Sequence, residues 1–91
     1  MTAQIQWDDA RIFLAVARAG TLSGAAIALE MGVATVSRRL DRLEAALGVP
    51  LFSRHQSGYS LTDDGEALLE HAEALQHAGQ AFGEAAQQQG Q

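Results

Sequence analysis

The sequence predicts a mainly α fold: three short helices, a two-stranded hairpin, then one long helix. Three observations predict it. Apolar residues recur at three- and four-residue spacing in four separate segments. Gly20, Gly32, Gly48 and Pro50 punctuate those segments where helices start or stop. Leu68, Ala72, Leu75, Gly79, Phe82 and Ala86 follow a 4-3-4-3-4 spacing, the seam of a helix that pairs with another.

Composition bounds what such a chain can be. Ninety-one residues, 47% of them hydrophobic, make one domain with a modest core. No apolar run approaches the ~18 residues of a membrane span. Residues 1–6 show neither a basic n-region nor an apolar h-region, so no signal peptide and no membrane partner are predicted. The absence of cysteine excludes disulfides and thiolate metal sites and is compatible with a reducing cytoplasm. The net charge of −5 is unevenly spread. Residues 1–54 hold all six arginines and five acids, a balance of +1, whereas residues 55–91 hold six acids and no Lys or Arg. A cationic patch in the first half can therefore meet a polyanion while the acidic second half faces away from it.

The elements follow in order. Residues 7–19 form a first helix, with Asp8 and Asp9 at the positive end of its dipole, Ile12, Phe13, Val16 and Ala17 on one face, and Gly20 as its stop. Arg18 suits the negative end of that dipole. Thr21 N-caps a short second helix over 22–29, which turns Leu22, Ala25, Ala26 and Leu29 inward. Thr21 and Ser23 lie where backbone N–H groups and hydroxyls can hold a phosphate, although capping alone accounts for Thr21. Glu30-Met31-Gly32 breaks the pattern, and Gly32 can cap the next helix.

The third helix runs to Leu47. At about 100° per residue from Thr35, Val36, Leu40, Leu43 and Leu47 fall within roughly 80–140°, a core stripe. Arg38 and Arg42 lie far from it, near 300° and 340°, and Ser37 near 200°. Hydroxyls and arginines pointing outward suit a helix that reads base edges and grips phosphates; a merely solvated face has the same composition. A short helix, a tight turn and this longer helix make a helix-turn-helix. Residues 51–53 and 59–61 are predicted as two strands around a turn at 54–58, which adds a wing packed through Leu51, Phe52 and Leu61. Thr62 caps the last helix, with Asp63 and Asp64 in its first turn. That helix is expected to end near Ala86, followed by a polar, disordered tail at 87–91. Its seam residues Leu68, Ala72, Leu75, Gly79 and Phe82 are predicted to dimerise, with Leu69 off the seam and covering the core. The domain organisation is thus a winged helix-turn-helix at 1–61, a linker and dimerisation helix at 62–86, and the tail.

These residues, in order and spacing, resemble the N-terminal DNA-binding domain of LysR-type transcriptional regulators. The carriers are Phe13, Val16, Ala17, Gly20, Ala25-Ala26, Leu29, Val36-Ser37-Arg38, Leu43-Glu44, Leu47-Gly48, Leu51-Phe52, Arg54, and Leu61-Thr62 with Gly65. The resemblance covers about Trp7 to Phe82. It implies a homodimer joined by antiparallel linker helices, bound to an interrupted palindrome in promoter DNA. It also implies a bacterial, cytoplasmic, nucleoid-associated regulator rather than an enzyme. Carried over position by position, Thr35, Ser37 and Arg38 would read bases. Arg38 suits bidentate contact to guanine and Thr35 a thymine methyl. Thr21, Ser23, Arg39, Arg42 and Arg54 would contact the backbone, with pairing of Arg42 to Asp41 or Glu44 as the alternative. His55, Gln56 and Ser57 would form the wing tip near the minor groove. Family members continue into a two-lobed effector-binding domain, so the chain is expected to be a segment of a longer regulator, with any small-molecule inducer held by that absent domain.

Three departures stand out. Gly32-Val33-Ala34 replaces the family's Ser-Gln-Pro at the start of the recognition helix, which shifts the target sequence or its readout towards shape. Ser57 stands where the wing often carries arginine. Glu30 occupies a turn position that favours left-handed backbone, so the turn could centre nearer Gly32. No cofactor or metal site is predicted: His71 and His77 are six apart and roughly 120° from each other on a helix. No Ser/His/Asp set has catalytic spacing. A second function class, a winged-helix protein-interaction module with weak or no DNA binding, fits the acidic balance, the absence of lysine and Ser57.

Overall fold

The computed structural model describes residues 6–89. It contains α1 (Trp7–Ala19), α2 (Leu22–Leu29), α3 (Val33–Leu47), β1 (Phe52–His55), β2 (Gly58–Leu61) and α4 (Asp63–Gln89). Two strands follow three helices, and one long helix closes the order, which is a winged helix-turn-helix with a linker helix.

α1 is the core helix. Ala10, Ile12, Phe13, Leu14 and Val16 are all buried, and α2, α3 and α4 pack around it. Its first turn is closed by Asp9, whose carboxylate accepts from the Gln6 N–H at 2.9 Å. Gly20 ends it in the left-handed region, φ 74°. Thr21 then caps α2, its Oγ1 accepting from the Gly24 N–H at 3.0 Å. Ala25 and Ala26 are buried; their small side chains let α2 lie close to α1. The turn that follows corrects one expectation. The left-handed residue is Glu30, at φ 56°, ψ 46°, whereas Gly32 is extended at φ −74° and caps α3. Val36, Leu40 and Leu43 bury the predicted stripe of α3.

The wing is an antiparallel pair with Phe52 opposite Leu61 and His55 opposite Gly58, so Gln56 and Ser57 alone form the turn. Arg54 and His55, predicted in the turn, are strand residues, and Leu51 precedes β1. The hairpin docks on the helices at two places. Phe52 packs between Phe13, tilted at 47°, and Tyr59, edge-on at 65°, with ring centroids 5.5 and 6.0 Å apart. Tyr59 N–H donates to the Gly20 carbonyl at 2.7 Å, with Gly58 pressed against that same carbonyl.

Thr62 caps α4 as predicted, Oγ1 accepting from the Gly65 N–H at 3.0 Å and donating to the Pro50 carbonyl at 2.8 Å. Two expectations for this helix change. It continues to Gln89, so residues 87–89 of the expected tail are helical; Gly90 and Gln91 lie outside the described residues. The stripe of the seam is also divided between two surfaces. Leu68 packs against the domain core and Ala72 is 6% exposed within it. Gly79 lies under the Trp7 ring of the same chain. These three residues face their own domain, because α1 needs a cover and α4 supplies it. Leu75 and Phe82 remain open, 45% and 77% exposed. Leu69 packs against the core as expected. No helix among the described residues is long and apolar enough to cross a membrane.

Candidate nucleic-acid interface

Three elements converge on one open groove of about 320 Å³. Thr21, Leu22 and Ser23 come from the start of α2, Val33 from the start of α3, and His55 to Tyr59 from the wing. The docking of Gly58 and Tyr59 on Gly20 brings the wing tip beside the α2 N-terminus. Thr21, Ser23, His55, Gln56 and Ser57, predicted from separate parts of the sequence, therefore share one surface. Val33, noted in the sequence only as part of the unusual opening of α3, and Tyr59, which the sequence pattern did not single out, also line it.

The exposed face of α3 adjoins that groove. Ala34 and Arg38 are exposed, and Thr35 and Ser37, half-buried, flank them. Thr35 Oγ1 lies 3.5 Å from Arg38 Nη2, a long contact that leaves the guanidinium free to turn outward. Ser37 lies one turn beyond Val33 and so on the groove side. The glycine cap Gly32 offers α3 no side-chain oxygen, leaving its first N–H groups open.

The arginines divide by partner. Arg38 and Arg42 have no acidic partner among the described residues, and Arg39 lies 3.6 Å from Asp8 across an exposed gap. Arg42 sits beside Asp8, Asp9 and Gln6 rather than pairing with Asp41 or Glu44, as one expectation had it. Those two acids hold Arg54. Its Nη2 bonds Asp41 and lies 3.0 Å from Glu44 Oε1, and its guanidinium lies 5.3 Å from the centre of the Tyr59 ring. The Asp41 hydrogen bond raises the Arg54 pKa, against a smaller lowering by burial. In the structure, then, Arg54 is engaged as a strut between α3 and the wing, with 43% of its side chain still exposed. Glu44 is the node of that strut: its Oε2 also accepts from the Leu51 and Phe52 N–H groups at 2.6 and 3.2 Å. The leading Leu43-Glu44 spacing flagged the residue, but only the tertiary fold shows what the carboxylate holds.

A family model described as bacterial regulatory helix-turn-helix protein, lysR family, matches residues 7–66. The chain is 42% identical over 67 residues to the HTH-type transcriptional regulator YusT of Bacillus subtilis, covering 74% of this chain and 23% of that one. It is 44% identical over 71 residues to the HTH-type transcriptional regulator HdfR of Salmonella newport, covering 78% and 26%. The chain thus spans about a quarter of the length of these relatives. Among solved structures it is similar to the CbnR_DBD-DNA complex, with a TM-score of 0.85, 31% identity, and coverage of 96% of this chain and 100% of that one. It is also similar to oxidized OxyR of Corynebacterium glutamicum, with a TM-score of 0.87, 29% identity, and coverage of 91% and 27%. With 60 of its 91 residues inside that family model and the wing and linker helix in the family's arrangement, the chain belongs to the lysR family of bacterial regulatory helix-turn-helix proteins.

Proposed function

We propose that this domain binds double-stranded DNA sequence-specifically as a homodimer and so regulates transcription at an interrupted palindrome. The observation that carries the reading is the convergence of the α2 start, the α3 start and the wing turn on one groove, beside an exposed Arg38. A major groove about 12 Å wide admits α3, with the wing over the neighbouring minor groove. Arg38 is the bidentate reader, flanked by Thr35 and Ser37. Thr21, Ser23, Arg39 and Arg42 hold phosphates. His55, Gln56 and Ser57 approach the minor groove. The exposed Leu75 and Phe82 join two copies through α4. The relative solved as a CbnR_DBD-DNA complex supports the mode. The reading places the protein in the bacterial cytoplasm, on the nucleoid, and assigns any inducer to a domain outside this chain.

A titration on duplex DNA at several salt concentrations tests it. Arg39 and Arg42 are the phosphate-holding arginines, four in a dimer. Each phosphate neutralised contributes about −0.9 to the slope of log affinity against log salt, so a slope of about −4 is expected. One observation favours the competing reading of a protein-interaction module: four of the six arginines already have a carboxylate neighbour. No retardation of DNA at low salt, or no negative slope, would decide for that module.

A further inference from the structure

The two ends of α1 both reach α4. At one end the Trp7 ring covers Gly79: a methyl group there would lie 3.3, 3.4 and 3.7 Å from three indole carbons. At the other end Arg18 Nη2 donates to Gln76 Oε1 at 2.9 Å and lies 3.9 Å from Glu73 Oε2. Trp7 and Arg18 are eleven residues apart, about 16 Å along α1. Their targets on α4, residues 73–79, span only about 9 Å. α1 thus crosses α4 and closes on it with two long side chains. α4 is fixed again at its start, where Gly65 seats on the Leu51 carbonyl and Thr62 N–H donates to it at 3.0 Å. Gly79 lies about 21 Å beyond Gly65. Two anchors that far apart define the direction of a helix. Past Gly79 every described residue of α4 is exposed.

We propose that Trp7, Gly79 and Arg18 form a clamp that sets the direction in which α4 leaves the domain, and thereby the half-site spacing that the dimer accepts. This rests on the dimeric DNA-binding reading above. The physical argument is leverage. In a dimer joined through the outer part of α4, a change in the angle between α4 and α3 displaces each reading helix along the DNA. Half-site spacing mirrors the separation of the two reading helices. A clamped α4 makes that separation a fixed length; a loose one spreads it. Any side chain at residue 79 presses on the indole: even a methyl group would sit tighter than usual against its ring carbons, and a larger one would push the ring aside.

The experiment uses the full 91-residue chain and a set of duplexes. Each duplex carries two copies of the half-site recovered by selection from random DNA, with the gap between them lengthened or shortened in single-base-pair steps. Wild type is expected to prefer one gap by about tenfold over gaps two base pairs away, and Trp7→Ala/Arg18→Ala to lower that preference to about threefold or less. Affinity for a single half-site stays unchanged, because neither residue faces the groove. Trp7→Phe restores the preference in part and Gly79→Leu removes it. Arg18→Ala, at an exposed side chain, keeps the fold whatever Trp7→Ala does to it. A second measurement needs no DNA. The chain lacks cysteine, so spin labels at Ser53→Cys and Glu84→Cys, in dimers diluted with unlabelled chain, report the angle of α4 to the wing. The distance distribution broadens when the clamp is removed. Folded, dimeric variants that keep the wild-type gap profile overturn the spacing role, and an unchanged distance distribution overturns the clamp. A wild-type chain that retards no duplex overturns the DNA-binding reading, and the spacing role falls with it.

Discussion

Arg38 is the residue on which the proposed readout rests. It is exposed in the middle of the outward face of α3 and carries no ion pair among the described residues. Arg38→Ala is expected to lose about 1–3 kcal/mol of specific binding and to relax preference at one base pair; unchanged affinity for the selected site would remove it from the readers. Arg54 behaves oppositely. As a strut to Asp41 and Glu44 it should leave the salt slope untouched when replaced by alanine, whereas a phosphate contact would lower the slope by about 0.9 per subunit. Its pair with the exposed Asp41 contributes at most about 1 kcal/mol. The raised Arg54 pKa keeps that contribution whole below the ordinary arginine range, to be lost only as pH climbs through the still higher folded value. Glu44 matters more. Glu44→Ala strands the Leu51 and Phe52 N–H groups and should cost about 1–3 kcal/mol in denaturant titration. Glu30 is strained in the left-handed region and exposed, so Glu30→Gly should raise stability by about 1 kcal/mol; a lower melting temperature would show that the turn is held by the glutamate side chain. The sequence pointed to Thr35, Ser37 and Arg38 because their outward angles follow from helix geometry alone. It did not show the ion pairs of Arg54, because Asp41, Glu44 and Arg54 meet only through the fold.

At the scale of elements, legibility follows locality. The limits of α1, α2 and α3 were readable because apolar period, caps and glycine stops all act within a few residues. The wing was displaced by one or two residues. Arg54 and His55 lack apolar alternation, and their strand conformation comes from pairing with Tyr59 and Gly58. Gly65 shows what a tertiary constraint looks like in one residue: it is buried in the first turns of α4, and a methyl group would collide with the Leu51 carbonyl. A backbone atom cannot swing aside as a side chain can. Gly65→Ala is therefore expected to cost roughly 1–3 kcal/mol although alanine is the better helix former. Chemical denaturation of the variant checks this, and a gain in stability would mean that α4 shifts freely on Leu51.

At the scale of the whole molecule, the heptad spacing of α4 marked an apolar stripe without revealing what the stripe meets. The domain takes Leu68, Ala72 and Gly79 for itself. What remains for a second copy is Leu75, beside the apolar hollow lined by Leu43, Leu47 and Leu68, and Phe82 one heptad further on. A helix of 27 residues is about 40 Å long, more than this small core can cover, so the outer half gains burial only against a partner. Leu75→Asp places a carboxylate at the centre of that remnant, and Phe82→Asp places one at its far end. Both side chains are exposed in the single chain, so neither change should unfold the domain. Sedimentation equilibrium is expected to show dimers for wild type and monomers for Leu75→Asp/Phe82→Asp. The monomer should keep affinity for one half-site while losing its advantage on the paired site, since the second contact no longer follows the first within one molecule. A persistent dimer in the double variant would move the interface off this face of α4, and with it the lever arm through which α1 would set half-site spacing.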